Sequence, residues 1–120
     1  MLCAYLTLDE VNQDLAERLA AVAGVELDVL SFRDATPAGQ FDAVLYDLDF
    51  LPPEYRRRLL AKLKAGGSTE PVAVHGYHIP VRLAFALRRQ GVIVVRRLSG
   101  KVFAQLRAAV AGRRVTSVGK

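Results

Sequence analysis

The sequence predicts one α/β domain built on a parallel sheet. Five short apolar runs carry that prediction, together with the helical spacings between them and the length. The runs are Cys3 to Leu8, Val25 to Phe32, Ala43 to Tyr46, Pro71 to Val74 and Val92 to Val95. Most are separated by stretches whose apolar residues recur every three or four positions. A chain of 120 residues is the size of one domain with one real core. Strands alternating with helices imply parallel pairing through right-handed crossovers.

Each element has its own warrant. After the first run, Val11, Leu15, Leu19 and Val22 mark the apolar stripe of a helix, and Gly24 stops it. Val25, Leu27, Val29 and Phe32 alternate with other residues, as in a strand with a more exposed face at a sheet edge. Arg33 to Gln40, with Pro37 and Gly39, read as a loop or at most a short helical turn. Ala43 to Tyr46 read as a fully buried strand. Pro52-Pro53-Glu54 opens the next helix, since proline suits the first turn and an acid suits the positive end of the helix dipole. Its stripe is Tyr55, Leu59, Leu60 and Leu63, and Gly66-Gly67-Ser68 ends it. Pro71-Val72-Ala73-Val74 is the fourth strand. Pro80 to Gln90 is a helix with Leu83, Ala84, Ala86 and Leu87 inward, closed by Gly91. Val92-Ile93-Val94-Val95 is a β-branched run and the fifth strand. Val102, Phe103, Leu106 and Val110 mark the last helix, with Gly112 as its stop. The domain then covers residues 1–112, and 113–120 form a flexible tail.

Composition narrows the function classes. A 52% apolar and 24% charged chain is ordinary for a soluble globular protein. No apolar run approaches the ~20 residues of a membrane span. The start, Met1-Leu2-Cys3-Ala4-Tyr5, lacks a basic region and soon meets Asp9 and Glu10, which argues against a signal peptide. A single cysteine closes no internal disulfide and points to a reducing cytoplasm; Cys3, in an apolar strand, reads as a buried structural thiol. There is no G-x-G-x-x-G after the first strand and no Walker sequence, which argues against dinucleotide and NTP binding. Charge is uneven. Residues 1–50 hold 10 acids and 2 bases, and residues 51–120 hold 2 acids and 15 bases, so −8 and +13 lie behind the net +5. A basic half suits an acidic or polyanionic partner, or is simply a set of solvated helix faces.

The most informative stretch is Phe41-Asp42-Ala43-Val44-Leu45-Tyr46-Asp47-Leu48-Asp49. An apolar strand ends there in two carboxylates. In open parallel sheets, ligands bind beyond the carboxyl ends of the strands, where an acid is placed for a cation or a phosphoryl group. Alternatively, both aspartates cap the following turn, a common place for Asp. His75 and His78 have H-x-x-H spacing, but two histidines do not make a metal site without a third ligand, and they read as loop or rim residues.

These βα units, with Asp47 ending the third strand and Asp42 five residues before it, resemble the receiver domain of two-component response regulators over about residues 2–112. The resemblance implies a flavodoxin-like (CheY-like) three-layer αβα sandwich with a five-stranded parallel sheet of order 2-1-3-4-5. It implies a cytoplasmic, non-enzymatic role in bacterial signal transduction or phosphorelay. Asp47 takes the phosphoacceptor position. A carboxylate attacking phosphorus needs a divalent metal to hold the phosphoryl oxygens, so Mg²⁺ is the implied cofactor, with Asp9, Glu10 and Asp49 as candidate ligands. Leu8-Asp9-Glu10 sits where receivers carry acids. With Glu10 as the third acid, Leu8 replaces one metal ligand; shifted by one residue, Asp9 and Glu10 restore the pair. Asp9 also fits a helix N-cap. Two further positions depart from the pattern. Gly76 stands where the family has Thr or Ser, and Arg96 stands where it has Lys, without the following Pro.

Those departures point to a degenerate, pseudo-receiver module that acts by protein contact without phosphorylation; the alternative is a working phosphoacceptor using Asp47 and Mg²⁺. Arg82, Arg88, Arg89, Arg97, Lys101 and Arg107 fall on the last two βα units, the usual output face in receivers. They suit an acidic signalling partner, or a homodimer through those units. Binding of nucleic acid through this basic half is disfavoured by the lack of a recognised reading motif and of interleaved aromatics. Val44 to Asp49 also resembles the first motif of haloacid-dehalogenase-type phosphatases, but Phe50 and Leu51 follow where that family needs Thr or Val, and only Glu54 and Glu70 remain as later acids.

Overall fold

The computed structural model describes residues 1–30 and 40–118, with side chains as far as Arg113. The elements run β1 (Leu2–Leu6), α1 (Glu10–Val22), β2 (Glu26–Val29), β3 (Ala43–Asp47), a 3₁₀ turn (Leu48–Phe50), α2 (Pro53–Lys64), β4 (Val72–His75), α3 (Val81–Arg89), β5 (Ile93–Val95) and α4 (Gly100–Val118). Phe32 and residues 33–39 of the loop expected over 33–40 lie outside the described residues. The five strands form one parallel sheet of order β2-β1-β3-β4-β5, the expected 2-1-3-4-5 arrangement, with β2 at an edge.

Register splits the core into two layers by simple alternation, since successive strand side chains point to opposite faces. Cys3, Tyr5, Ala43, Leu45 and Ala73 face α1 and α4, where Val102, Phe103, Leu106 and Val110 fill the space. Ala4, Leu6, Val44, Tyr46, Val72 and Val74 face the other way, against Leu59, Leu63 and Leu87 of α2 and α3. The central strands β1, β3 and β4 are buried on both faces, hence their unbroken apolar runs. Cys3 lies fully buried, and desolvation pushes its thiol up to about 12, so it is protonated and inert.

The apolar stripe expected on α1 is corrected by the structure. Its buried residues are Ala16 and Ala20, whereas Val11, Leu15 and Val22 are exposed and Leu19 is only partly covered. The helix carries two stripes at proper spacing, and the small one faces inward, because α1 must share one face of the sheet with the Phe103 layer of α4. Gly24, at φ +71°, ends the helix as expected, in a conformation that favours glycine. Gly112 does not stop α4, which runs on to Val118. A glycine inside a helix costs only about 1 kcal/mol relative to alanine, and good helix formers surround this one.

Candidate functional site

The candidate site lies at the carboxyl ends of β1, β3 and β4. Alternation points Tyr5, Thr7, Asp47 and His75 to the same face of the sheet. One step beyond the last paired residues, Leu6 and Tyr46, Thr7 reaches Asp47. The same step along β4 pairs Asp47 with His75.

Asp47 is 0% exposed, and neutral donors surround it. Its Oδ2 accepts from Thr7 Oγ1 at 2.7 Å and from Asn12 Nδ2 at 2.8 Å. Its Oδ1 accepts from the Asp49 backbone N–H at 3.1 Å, which makes Asp47 the cap of the 3₁₀ turn. The capping role weighed for this aspartate is therefore real. While its hydroxyl hydrogen goes to Asp47, the Thr7 oxygen accepts from the Asp9 backbone N–H at 3.0 Å. Asn12 must present its amide nitrogen, since a carboxylate only accepts. It sits in the first turn of α1, at the positive end of that helix.

His75 is a buried core residue at the end of β4, not a loop or rim residue. Burial pulls its imidazole below the ordinary value, and the Asp47 and Asp49 carboxylates partly oppose that. Its Nδ1 lies 3.8 Å from Asp47 Oδ1, too far for a hydrogen bond but close enough to favour a proton on Nδ1. With that tautomer, Nε2 accepts from the Tyr5 hydroxyl at 2.7 Å. Burial, then the nearby Asp47 charge, raises the Tyr5 phenol above its usual range and keeps it a donor. Tyr5, His75, Asp47, Thr7 and Asn12 thus form one continuous polar cluster in the core.

The other acids have separate tasks. Asp9 is the N-cap of α1, accepting from Asn12 N–H at 3.0 Å, so the capping alternative holds. Glu10 is exposed on the first turn of α1. Asp49 reaches across to the β4 loop, where its Oδ2 accepts from the Tyr77 backbone N–H at 2.9 Å. Among the described residues, no three His, Cys, Asp or Glu side chains stand together as a metal-holding group. Space at Gly76 is tight: a Cβ there would lie 3.2 Å from both Asp49 Oδ1 and Ile79 Cγ1, so those side chains would have to shift slightly.

The basic residues lie elsewhere. Arg96 is exposed beyond β5, and among the described residues no ion pair joins it to Asp47. Arg82, Arg88 and Arg89 project from α3, with Arg89 over the Phe85 ring and Arg88 donating to the Val94 carbonyl at 3.1 Å. Arg97 and Lys101 are exposed between β5 and the start of α4. Arg107 turns toward α1 and donates to the Ala23 carbonyl at 2.8 Å, a cation at that helix's negative end. His78 is exposed. Sequence reasoning missed Tyr5, Thr7, Asn12 and His75 as a cluster. The available signal was the two-residue period that sets 5, 7, 47 and 75 on one face once the strand order is known.

No protein-family model matches the chain, and no curated protein matches it. Its fold matches solved receiver domains. A response regulator receiver protein from Burkholderia phymatum is 20% identical, with TM-score 0.64 over 92% of this chain and 94% of that one. A CheY-like response regulator from Mesorhizobium loti is 20% identical, with TM-score 0.56 over 91% and 97%. A two-component response regulator from Clostridium difficile is 12% identical, with TM-score 0.62 over 95% and 98%. At these identities the likeness is one of fold. Among the described residues, no helix is long and apolar enough to cross a membrane.

Proposed function

We propose that this chain is a degenerate receiver domain, a non-enzymatic, cytoplasmic signalling module that works by protein contact without phosphorylation of Asp47. The observation that carries this reading is the enclosure of that aspartate. Its carboxylate is 0% exposed and engaged through both oxygens by Thr7, Asn12 and the Asp49 N–H. A nucleophile needs an open path from one oxygen to phosphorus and a metal on the transferred group. Supporting it, Asp9 is spent on a cap and Asp49 on the Tyr77 N–H. Gly76 and Arg96 supply neither the hydroxyl nor the ammonium that the resemblance implies. The partner is another signalling protein, of acidic character, read by Arg82, Arg88, Arg89 and Arg97 around α3 and β5.

Incubation with acetyl phosphate and Mg²⁺, followed by intact-mass measurement, tests this directly. The expected outcome is an unmodified chain. A phosphoryl adduct that disappears in Asp47→Asn would establish a working phosphoacceptor instead.

A further inference from the structure

We propose that this protein associates head-to-tail with itself, the outer face of α1 in one copy docking on the α3–β5 face of the next. Both faces have an apolar centre that the fold leaves uncovered. On α1, Val11 is 73% and Val22 is 90% exposed, with Leu15 between them. Glu10, Asp14 and Glu17 run alongside, and the one base of the helix, Arg18, is paired to Asp14 at 3.0 Å. On α3, Val81 is 82% and Phe85 is 63% exposed. They stand among Arg82, Arg88 and Arg89, on a helix with no acid at all. A shallow groove beside Phe85 is floored by Ile79, Val94 and Val95 and rimmed by Arg96.

Each patch is therefore an apolar centre with a rim of one sign, and the two signs are opposite. Symmetric pairing would set acids against acids or arginines against arginines, and juxtaposed like charges disfavour an interface. Pairing α1 with α3 joins apolar centre to apolar centre and acid to base. Topology makes this contact open-ended. α1 lies on the α4 side of the sheet next to β2, and α3 lies on the opposite side next to β5. A copy docked on one face leaves the other free, the condition for a heterologous chain rather than a closed dimer. The proposal rests on one part of the receiver reading, that α3 and β5 form the docking face, and the state of Asp47 does not enter it.

Sedimentation velocity on the full chain at low ionic strength tests the proposal, with two variants. Val11→Ser/Val22→Ser removes the apolar centre of α1, and Val81→Ser/Phe85→Ser removes that of α3. All four positions are strongly exposed, so the fold tolerates the changes. The wild type is expected to sediment faster as concentration rises, and to revert to monomer at about 0.5 M salt, where screening shortens to about 4 Å. Each variant alone should associate about tenfold more weakly or worse. An equimolar mixture should recover a heterodimer and nothing larger, since it contains one intact pair of faces. A wild type that stays monomeric at every concentration overturns the proposal. So does a variant that associates like the wild type, or a mixture no larger than its components.

Discussion

The carboxyl end of β3 and the outer face of α1 treat their side chains in opposite ways. At β3 a charged group is sunk into the core, and the fold brings three hydrogen-bond donors to it. On α1 a row of large apolar groups is left in water while two alanines take the core positions. In the first region both carboxylate oxygens are engaged within one chain. In the second the apolar side chains are left exposed. The Asp47 carboxylate is buried, whereas Val11 and Val22 of α1 are strongly exposed. Under the proposed function, the aspartate serves as structure and recognition falls to the helices.

Breaking the closed region should give the largest effect. Asp47→Ala strips the acceptor from Thr7, Asn12 and the Asp49 N–H at once and leaves buried donors without partners. Losing a charged, hydrogen-bonded buried group costs about 3 kcal/mol or more, and urea unfolding should show a loss of that size. Asp47→Asn keeps the shape and should cost less.

Acid should produce a smaller effect at the same place. The folded pKa of His75 lies below that of the unfolded chain, so unfolding takes up a proton in the window beneath about pH 6.5. Stability should be full above that value and fall as pH drops toward the folded pKa, by at most about 1.4 kcal/mol per unit from this group. Thermal unfolding between pH 7 and pH 5 measures the slope, and His75→Gln should flatten it. An unchanged slope in that variant would place the titration elsewhere.

The smallest effect should come from the open region. Val22→Ser on α1 should change unfolding stability by less than about 0.5 kcal/mol, as for other exposed positions. Ala20→Leu, on the stripe that faces the sheet, should cost about 1–3 kcal/mol through overpacking. Equal costs at the two positions would erase the distinction between the two stripes.

The strands were legible because burial on both faces writes itself into consecutive residues. Val44-Leu45-Tyr46 and Val72-Ala73-Val74 announce central strands without reference to anything distant. α3 and α4 were legible for a similar reason: Ala84, Leu87, Phe103 and Leu106 are both the periodic residues and the buried ones. On α1 the period was right and the face was wrong. Spacing identifies a helix, but it ranks stripes by hydrophobicity, and tight packing beside α4 selected the smaller side chains. Gly112 shows a related limit, since a residue that weakens a helix is not one that ends it.

By itself the sequence determined the α/β class, the position of Asp47 at the end of a buried strand and the separation of acids from bases along the chain. These are local properties, carried by neighbouring residues and by composition. Tertiary structure alone decided what Asp47 would meet. Tyr5 and Thr7 lie about 40 residues before it and His75 lies 28 after it. Only parallel pairing of β3 with β1 on one side and β4 on the other brings them within reach. Register set the Thr7 hydroxyl and the His75 imidazole beside the carboxylate, and the packing of α1 added the Asn12 amide. Hydrogen bonding there depends on ångström distances between strands, and nothing in the spacing along a chain sets those.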